Sequence, residues 1–312
     1  MAESVSRVVA AAEVLMMDFG TMLVDFCDPI SLSEYTSKKM IADPSFNPFE
    51  NQAHQLALNR DLAHDLVFEL QRRVRMMPTT MVASIILLYR KGISKQELSK
   101  KVEWLAMIIN ERGANFGNDV GLPGQNTMMI GLKHLDAYLE SKGSIIEPKI
   151  LPNGDHRNII MLYYYRNPLS SIFYNEGIVL VAIHSFGLVQ GWQTGVPVDQ
   201  LFERACYLSD LLEREEFIEK RISKSTRPRF DEVIKFMIDK RILIQKSQED
   251  PNLLLLRTAG ESIIVFIQSL IFPMVDSYYV ALIYILTFVK NKGIETANFS
   301  KNVQWLSELL HK

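Results

Sequence analysis

Histidine is the side chain best suited to move a proton near neutral pH, and the chain carries six: His54, His64, His134, His156, His184 and His311. A histidine that takes a proton from a hydroxyl works best with a carboxylate to orient it. None of the six has an aspartate five positions later, so His-x-x-x-x-Asp does not occur in this sequence. Gly-x-Ser-x-Gly, the Walker loop and Gly-x-Gly-x-x-Gly do not occur either. His64-Asp65 and His134-x-Asp136 lack the spacing of a metal or acid–base pair and read as exposed or partly buried polar residues. His184 lies in an apolar helical stretch and reads as a hydrogen-bonded core histidine. Cys27 and Cys206 are too few for a disulfide framework, fit a reducing compartment, and have no metal-ligand spacing. The sequence therefore offers no catalytic residue, no metal ligand set and no identifiable cofactor-binding residues.

Two clusters carry binding chemistry. Tyr163-Tyr164-Tyr165-Arg166-Asn167-Pro168 places aromatics beside a guanidinium, which can stack on a base or nucleotide ring. The simpler reading is that the tyrosines end a half-buried strand and Asn167-Pro168 turns into the next helix. The run Lys220-Arg221-x-x-Lys224-x-x-Arg227-x-Arg229 can hold phosphate, but Glu213, Glu215, Glu216 and Glu219 stand beside it. A solvated, neutralised loop is the simpler reading.

The elements that must position these groups come from a chain with ample core-forming residues. Of 312 residues, 48% are hydrophobic and 22% charged, which excludes wholesale disorder. The 34 basic and 36 acidic residues balance to −2, so no general attraction to nucleic acid follows. Val8–Phe26 is apolar, but Glu13, Asp18 and Asp25 interrupt it and no basic region precedes it, unlike a signal peptide. Ser262–Val289 has Asp276 as its only charge and is long enough to span a bilayer. Pro273 and Asp276 fall near its middle, so a break there is expected, with Asp276 capping a second helix. The segment is read as not crossing a bilayer in one helix.

Val5–Tyr35 reads as helix, turn at Asp18-Phe19-Gly20, then a strand over Thr21–Phe26. Met40–Leu56 reads as a linker, Asp61–Arg75 as a helix, and Pro78 as the opening of the next. Ser94-x-x-Glu97 is a capping box that opens a helix to about Glu111. Two stretches share one plan. Helix Thr127–Lys142 precedes strands Ile145–Leu151 and Asn158–Tyr165. Helix Arg229–Lys240 precedes strands Ile242–Lys246 and Leu253–Arg257. Each is followed by a long apolar helix, Leu169–Phe186 or Glu261–Phe288, and Val198–Arg214 is a further helix. Helix followed by hairpin is the core of a winged helix. Neither recognition-helix candidate is a basic stripe: Lys133, His134 and Lys142 face Asp136 and Glu140, and Arg229, Lys235 and Lys240 face Asp231, Glu232 and Asp239. Nucleic acid is therefore not an expected partner.

Four segments, in order, resemble the C-terminal part of the glycerol-3-phosphate / dihydroxyacetone-phosphate acyltransferase family. Phe19-Gly20-Thr21-Met22-Leu23-Val24-Asp25-Phe26-Cys27-Asp28-Pro29-Ile30-Ser31-Leu32 resembles the final strand of the catalytic domain, with Cys27 where the family usually has Gly. Tyr165-Arg166-Asn167 with Ile172-Phe173, Glu216-Phe217-Ile218, and Phe272-Pro273-Met274-Val275-Asp276-Ser277-Tyr278 are similar to later family stretches. The first and last segments are more similar to the dihydroxyacetone-phosphate branch. The resemblance implies a mainly α chain: residues 1–38 a remnant of the α/β acyltransferase domain, 39–60 a linker, and 61–312 a helical C-terminal domain with two winged-helix-like units.

The same resemblance implies what is missing. In the family the catalytic His-x-x-x-x-Asp and the phosphate-binding blocks lie upstream of the strand at Thr21, so this chain reads as a portion truncated at both ends and inactive alone. Its implied partners are the upstream acyltransferase domain, the membrane surface, and, for the complete enzyme, acyl-CoA as co-substrate with a phosphorylated triose or glycerol. The expected location is intracellular and peripheral to a membrane. The branch points to peroxisomes, although Leu310-His311-Lys312 is not the Ser/Ala-Lys-Leu signal. A non-enzymatic winged-helix-like interaction module is the alternative reading.

Overall fold

The computed structural model of the chain describes residues 23–117, 119–120, 124–143, 148–187, 189–215, 218, 220–246, 252–289, 293 and 295–310. The fold is mainly helical. It divides into two compact units: Arg72–Arg166 with the described residues through Leu58, and Asn167–Lys312 with Asn59–Gln71.

Residues 23–30 form no strand, in contrast to the expected ladder over Thr21–Phe26, of which Thr21 and Met22 lie outside the described residues together with the expected helix before them. A strand is held by pairing with a neighbour, and none of the described strands pairs with this segment. Charge holds it instead. The Asp25 carboxylate meets Arg75 at 3.4 Å and Arg73 at 3.8 Å, and Asp28 lies 3.6 Å from Arg73.

The linker expected over residues 39–60 is largely helical. Helix α1 covers Leu32–Ala42, its N-cap Ser31 accepting from the Glu34 amide, and α2 covers Gln52–Arg73. The Pro and Asn residues between them shape a turn rather than a long loop. Asp43 accepts from the Ser45 amide and hydroxyl, and Asn51 accepts from the Ala53 amide to start α2.

The first unit continues as β1 Arg75–Met76, α3 Pro78–Leu88, β2 Ile93–Ser94, α4 Lys95–Glu111, β3 Asn115–Phe116 and α5 Gly124–Leu135. A 3₁₀ turn, Asp136–Tyr138, leads to β4 Leu139–Gly143, β5 Pro148–Pro152 and α6 His156–Arg166. The Ser94 hydroxyl caps α4 by accepting from the Glu97 amide at 3.2 Å, as its sequence indicates. Leu98, Val102, Leu105 and Ile109 repeat at helical spacing and are all buried. Helix α3 is buried along nearly its whole length and packs on α5 and α6. Gly131 permits the α5 contact, because a Cβ there would stand 2.6 Å from the Pro78 carbonyl oxygen.

The first hairpin sits one segment earlier than expected. Residues 139–142 leave the helix and pair with β5, Leu139 opposite Pro152 and Gly143 opposite Pro148. Asn158–Tyr165, expected as a strand, is helical. The Asp155 carboxylate accepts from the Arg157 amide and so starts α6. Leu162 and Arg166, four apart, then share its buried face. The tyrosines' strand preference yields to that packing.

The second unit runs α7 Pro168–His184, a π-helical turn Gln190–Thr194, β6 Val196–Pro197, α8 Val198–Leu211, α9 Arg227–Asp239, β7 Leu243–Gln245 and β8 Leu253–Leu256. Helix α10, Glu261–Tyr284, continues into a π-helical turn Ile285–Val289, and α11 covers Thr296–Leu310. Helix α10 passes through Pro273 unbroken, and Asp276 lies within it. The expected break and the capping role for Asp276 are therefore both overturned. Packing of α10 along α7 holds the helix through the lost donor.

One plan occurs twice. In the first unit it is α3–β2–α4–α5–β4–β5, and in the second α7–β6–α8–α9–β7–β8. Both three-stranded sheets are antiparallel with the last strand in the middle, β2-β5-β4 and β6-β8-β7. In each copy the helix after the hairpin packs on the helix that opened the copy: α6 on α3, and α10 on α7. The repeat is thus longer than two helix–hairpin stretches, and α7 opens the second copy rather than closing the first.

Candidate functional site

In the first unit the chemistry-bearing residues gather on α6. Tyr163 and Arg166 are three apart and share a face, and the Arg166 guanidinium lies 4.5 Å from the centre of the Tyr163 ring. Arg90, in the turn after α3, donates to the Tyr163 hydroxyl and also lies over its ring. Two guanidinium groups thus share one phenol. Arg166 is 5% exposed. Burial, with the like charge of Arg90 adding to it and Tyr163 opposing, lowers its pKa to about 10. Tyr165 packs between Tyr138 and Tyr164, and burial raises its hydroxyl pKa. The Arg166 guanidinium thus stacks on the chain's own tyrosine.

The three arginines of the basic run in the second unit are spent on folding. Arg221 bonds Asp210 at 2.7 Å and Glu213 at 3.1 Å. Arg227 bridges Asp199 at 3.0 Å and Asp231 at 3.2 Å while stacking on Phe202 and Phe230. Arg229 pairs with Glu232 at 3.0 Å. All three arginines are neutralised by carboxylates, mostly those of α8 and α9 rather than the glutamates of the neighbouring loop, but the loop reading holds only for Arg221: Arg227 and Arg229 stand in the first turn of α9, which Pro228 helps to open. The residue that sequence reasoning missed is Asn175. Buried on α7, it donates to the Lys220 carbonyl at 2.9 Å and accepts from the Ile222 amide at 3.1 Å. An asparagine within an apolar helix was its only signal.

The histidines among the described residues are not brought together. His54 accepts from the Asn47 amide at 3.0 Å and stacks on Phe46, which fixes the turn before α2. His64 and His156 are exposed and His134 half-buried. His184, expected in the core, is exposed at the end of α7 with its ring edge-on to Phe272 at 5.6 Å. The buried face of α7 stops at Ile183, one residue earlier. His311 lies outside the described residues. No group of three or more His, Cys, Asp or Glu with metal-binding geometry occurs among the described residues. Cys206 is buried, and that burial pushes its thiol pKa up, away from nucleophilic chemistry.

A different surface closes the second unit. Val280 and Tyr284 of α10 pack on Leu306 of α11, with Phe299 and Val303 beside them. Outside this small core Tyr279, Leu282, Leu286, Phe288, Trp305 and Leu309 are exposed. Glu261–Val289 is the one described helical stretch long and apolar enough to cross a membrane, and only 22% of its most apolar window is buried.

Comparison with known proteins reaches along the whole chain. The family model described as "Glycerol-3-phosphate acyltransferase C-terminal region" matches residues 1–312. The human protein named "Dihydroxyacetone phosphate acyltransferase" is 21% identical over 327 residues, covering 99% of this chain and 45% of the human protein. Its mouse counterpart of the same name is 22% identical over 298 residues, covering 91% of this chain and 42% of its own length. The chain thus spans less than half the length of the curated relatives it matches.

Proposed function

Because the chain belongs to the glycerol-3-phosphate acyltransferase C-terminal region family, we propose that it is the C-terminal, helical portion of an acyl-CoA:dihydroxyacetone-phosphate or glycerol-3-phosphate O-acyltransferase. The observation that carries this reading is the match of the family model over the full 312 residues. Relatives named for dihydroxyacetone phosphate favour that acceptor. In the complete enzyme an upstream histidine takes the proton of the acceptor hydroxyl, the oxygen attacks the acyl thioester, and the C–S bond breaks to release CoA. This chain contains no His-x-x-x-x-Asp to do so. Residues 1–38 would complete the catalytic domain and 61–312 would form the domain that follows it. Its place would be inside the cell at a membrane surface, with peroxisomes suggested by the branch.

The twofold helix–strand–helix–helix–strand–strand plan supports reading each copy as winged-helix-like. That repetition favours one second reading, a non-enzymatic module that binds another protein. The two separate by experiment. Purified chain mixed with acyl-CoA and either phosphorylated acceptor should release no CoA above background, and turnover by the chain alone would overturn the assignment. The transcript upstream of Met1 should contain an open frame encoding His-x-x-x-x-Asp. A stop codon directly upstream would favour the interaction module.

A further inference from the structure

Helices α7 and α10 are both strongly apolar, but only α7 is apolar because it is buried. From Leu169 to Ile183 nearly every residue of α7 is in the core. In the second half of α10 only Val280 and Tyr284 are buried. Tyr279, Leu282 and Leu286 stand at i, i+3 and i+7, which puts them on one face, and they are 61%, 54% and 74% exposed. The π-helical turn adds exposed Phe288, and α11 adds Trp305 and Leu309, spaced i, i+4. Ring contacts draw these together. Tyr284 stacks on Phe288 at 5.4 Å, and Phe288 meets Trp305 at 6.4 Å. The exposed side chains are aromatic and aliphatic, joined by ring contacts from α10 to α11, and an exposed apolar patch of this kind marks an interaction site.

We propose that this face of α10 and α11 inserts into the interfacial layer of a lipid bilayer without crossing it. The proposal rests on the membrane-surface location given above and names the surface responsible. Two observations select lipid over protein. The exposed side chains are Leu, Phe, Tyr and Trp, and Tyr and Trp combine an apolar body with a polar tip suited to the headgroup boundary. The stretch also has the length and apolarity that a bilayer demands. Burial of Val280 and Tyr284 against Leu306 leaves α10 one apolar side, which suits a helix lying in the interface.

Flotation of the full chain with vesicles of phosphatidylcholine and phosphatidylserine tests this. The chain should float with the vesicles, stay bound in high salt, and be released by alkaline carbonate. Leu286→Asp with Leu309→Asp should lower vesicle binding roughly tenfold or more. Both positions are exposed, so circular dichroism and the thermal midpoint of the variant should match the unmodified chain. Flotation of the variant equal to the unmodified chain would overturn the proposal, as would an unmodified chain that ignores vesicles. Carbonate resistance with protease access on one flank only would mean a span and also overturn it. So would a vesicle-indifferent dimer that the two substitutions make monomeric. The readout involves no acyl transfer, so its failure leaves the acyltransferase assignment standing.

Discussion

Gly177 on α7 lies so close to Ile271 on α10 that a methyl group on its Cα would overlap the Ile271 Cγ1 atom. The two helices that begin and follow the second copy of the repeat therefore meet through a position with no side chain. Gly177→Ala should destabilise the fold by about 1–3 kcal/mol through overpacking, read as a lower urea midpoint at unchanged slope. Ile271→Ala removes the overlapping Cγ1 atom, so Gly177→Ala should cost less in an Ile271→Ala background than in the parent. A Gly177→Ala chain as stable as the parent would mean that the helices separate at no cost.

Asn175→Leu should uncouple α7 from the loop that leads to α9. The substitution removes the donor to the Lys220 carbonyl and the acceptor for the Ile222 amide, and leaves the buried amide without that partner. The expected cost is about 2–3 kcal/mol. Amide exchange at Ile222 should quicken more than exchange at Leu201 or Val233. Equal acceleration at all three would show that the fold loosens as a whole.

The sequence exposes what depends on periodicity and local capping. Ser94 and Glu97 mark the start of α4, and Leu98, Val102, Leu105 and Ile109 its buried stripe. The second hairpin is legible for the same reason, since β7 and β8 fall inside the stretches that their apolar residues mark. The first hairpin is not. Tyr163-Tyr164-Tyr165 has strand propensity, and its helical state is settled by a distant fact, the packing of α6 on α3. The exposure of His184 was hidden likewise, because it depends on where the neighbouring helices end. The arginines at 221, 227 and 229 are legible as a charge cluster, but their partners Asp199 and Asp210 are brought to them only by the fold.

Arg166→Lys should be far from conservative. The planar guanidinium stacked on Tyr163 is lost, at a cost of about 1–2 kcal/mol. Burial that lowers the pKa of Arg166 to about 10 would also hold a lysine below its ordinary value. A depressed base makes the folded state release its proton before the unfolded chain does, so stability rises with pH between the folded and unfolded pKa values. The deficit of Arg166→Lys should therefore be largest near neutral pH and shrink as pH rises toward 10. Urea titrations across that range measure it, and a deficit independent of pH would leave only the stacking loss.

Pro273 should be the position at which α10 gains stability by losing a ring. A proline within a helix has no amide to give the carbonyl four residues earlier, here that of Ser269, and its ring crowds the preceding turn. The helix nonetheless runs from Glu261 to Tyr284 through this residue, held along α7 by contacts such as the Gln268 side chain to the Leu180 carbonyl. Pro273→Ala restores the donor and relieves the crowding. Against this stands the greater freedom of the unfolded chain, worth about 0.4–1 kcal/mol. An interior proline costs about 3 kcal/mol, so a net gain of about 2 kcal/mol should remain. Thermal unfolding followed by circular dichroism at 222 nm, the wavelength of the helix signal, gives the sign. A lower midpoint for Pro273→Ala would show that the ring supports the helix through contacts worth more than the missing hydrogen bond. Pro273→Gly should separate the two terms, because it also restores the donor but adds backbone freedom, and its midpoint should fall below that of Pro273→Ala.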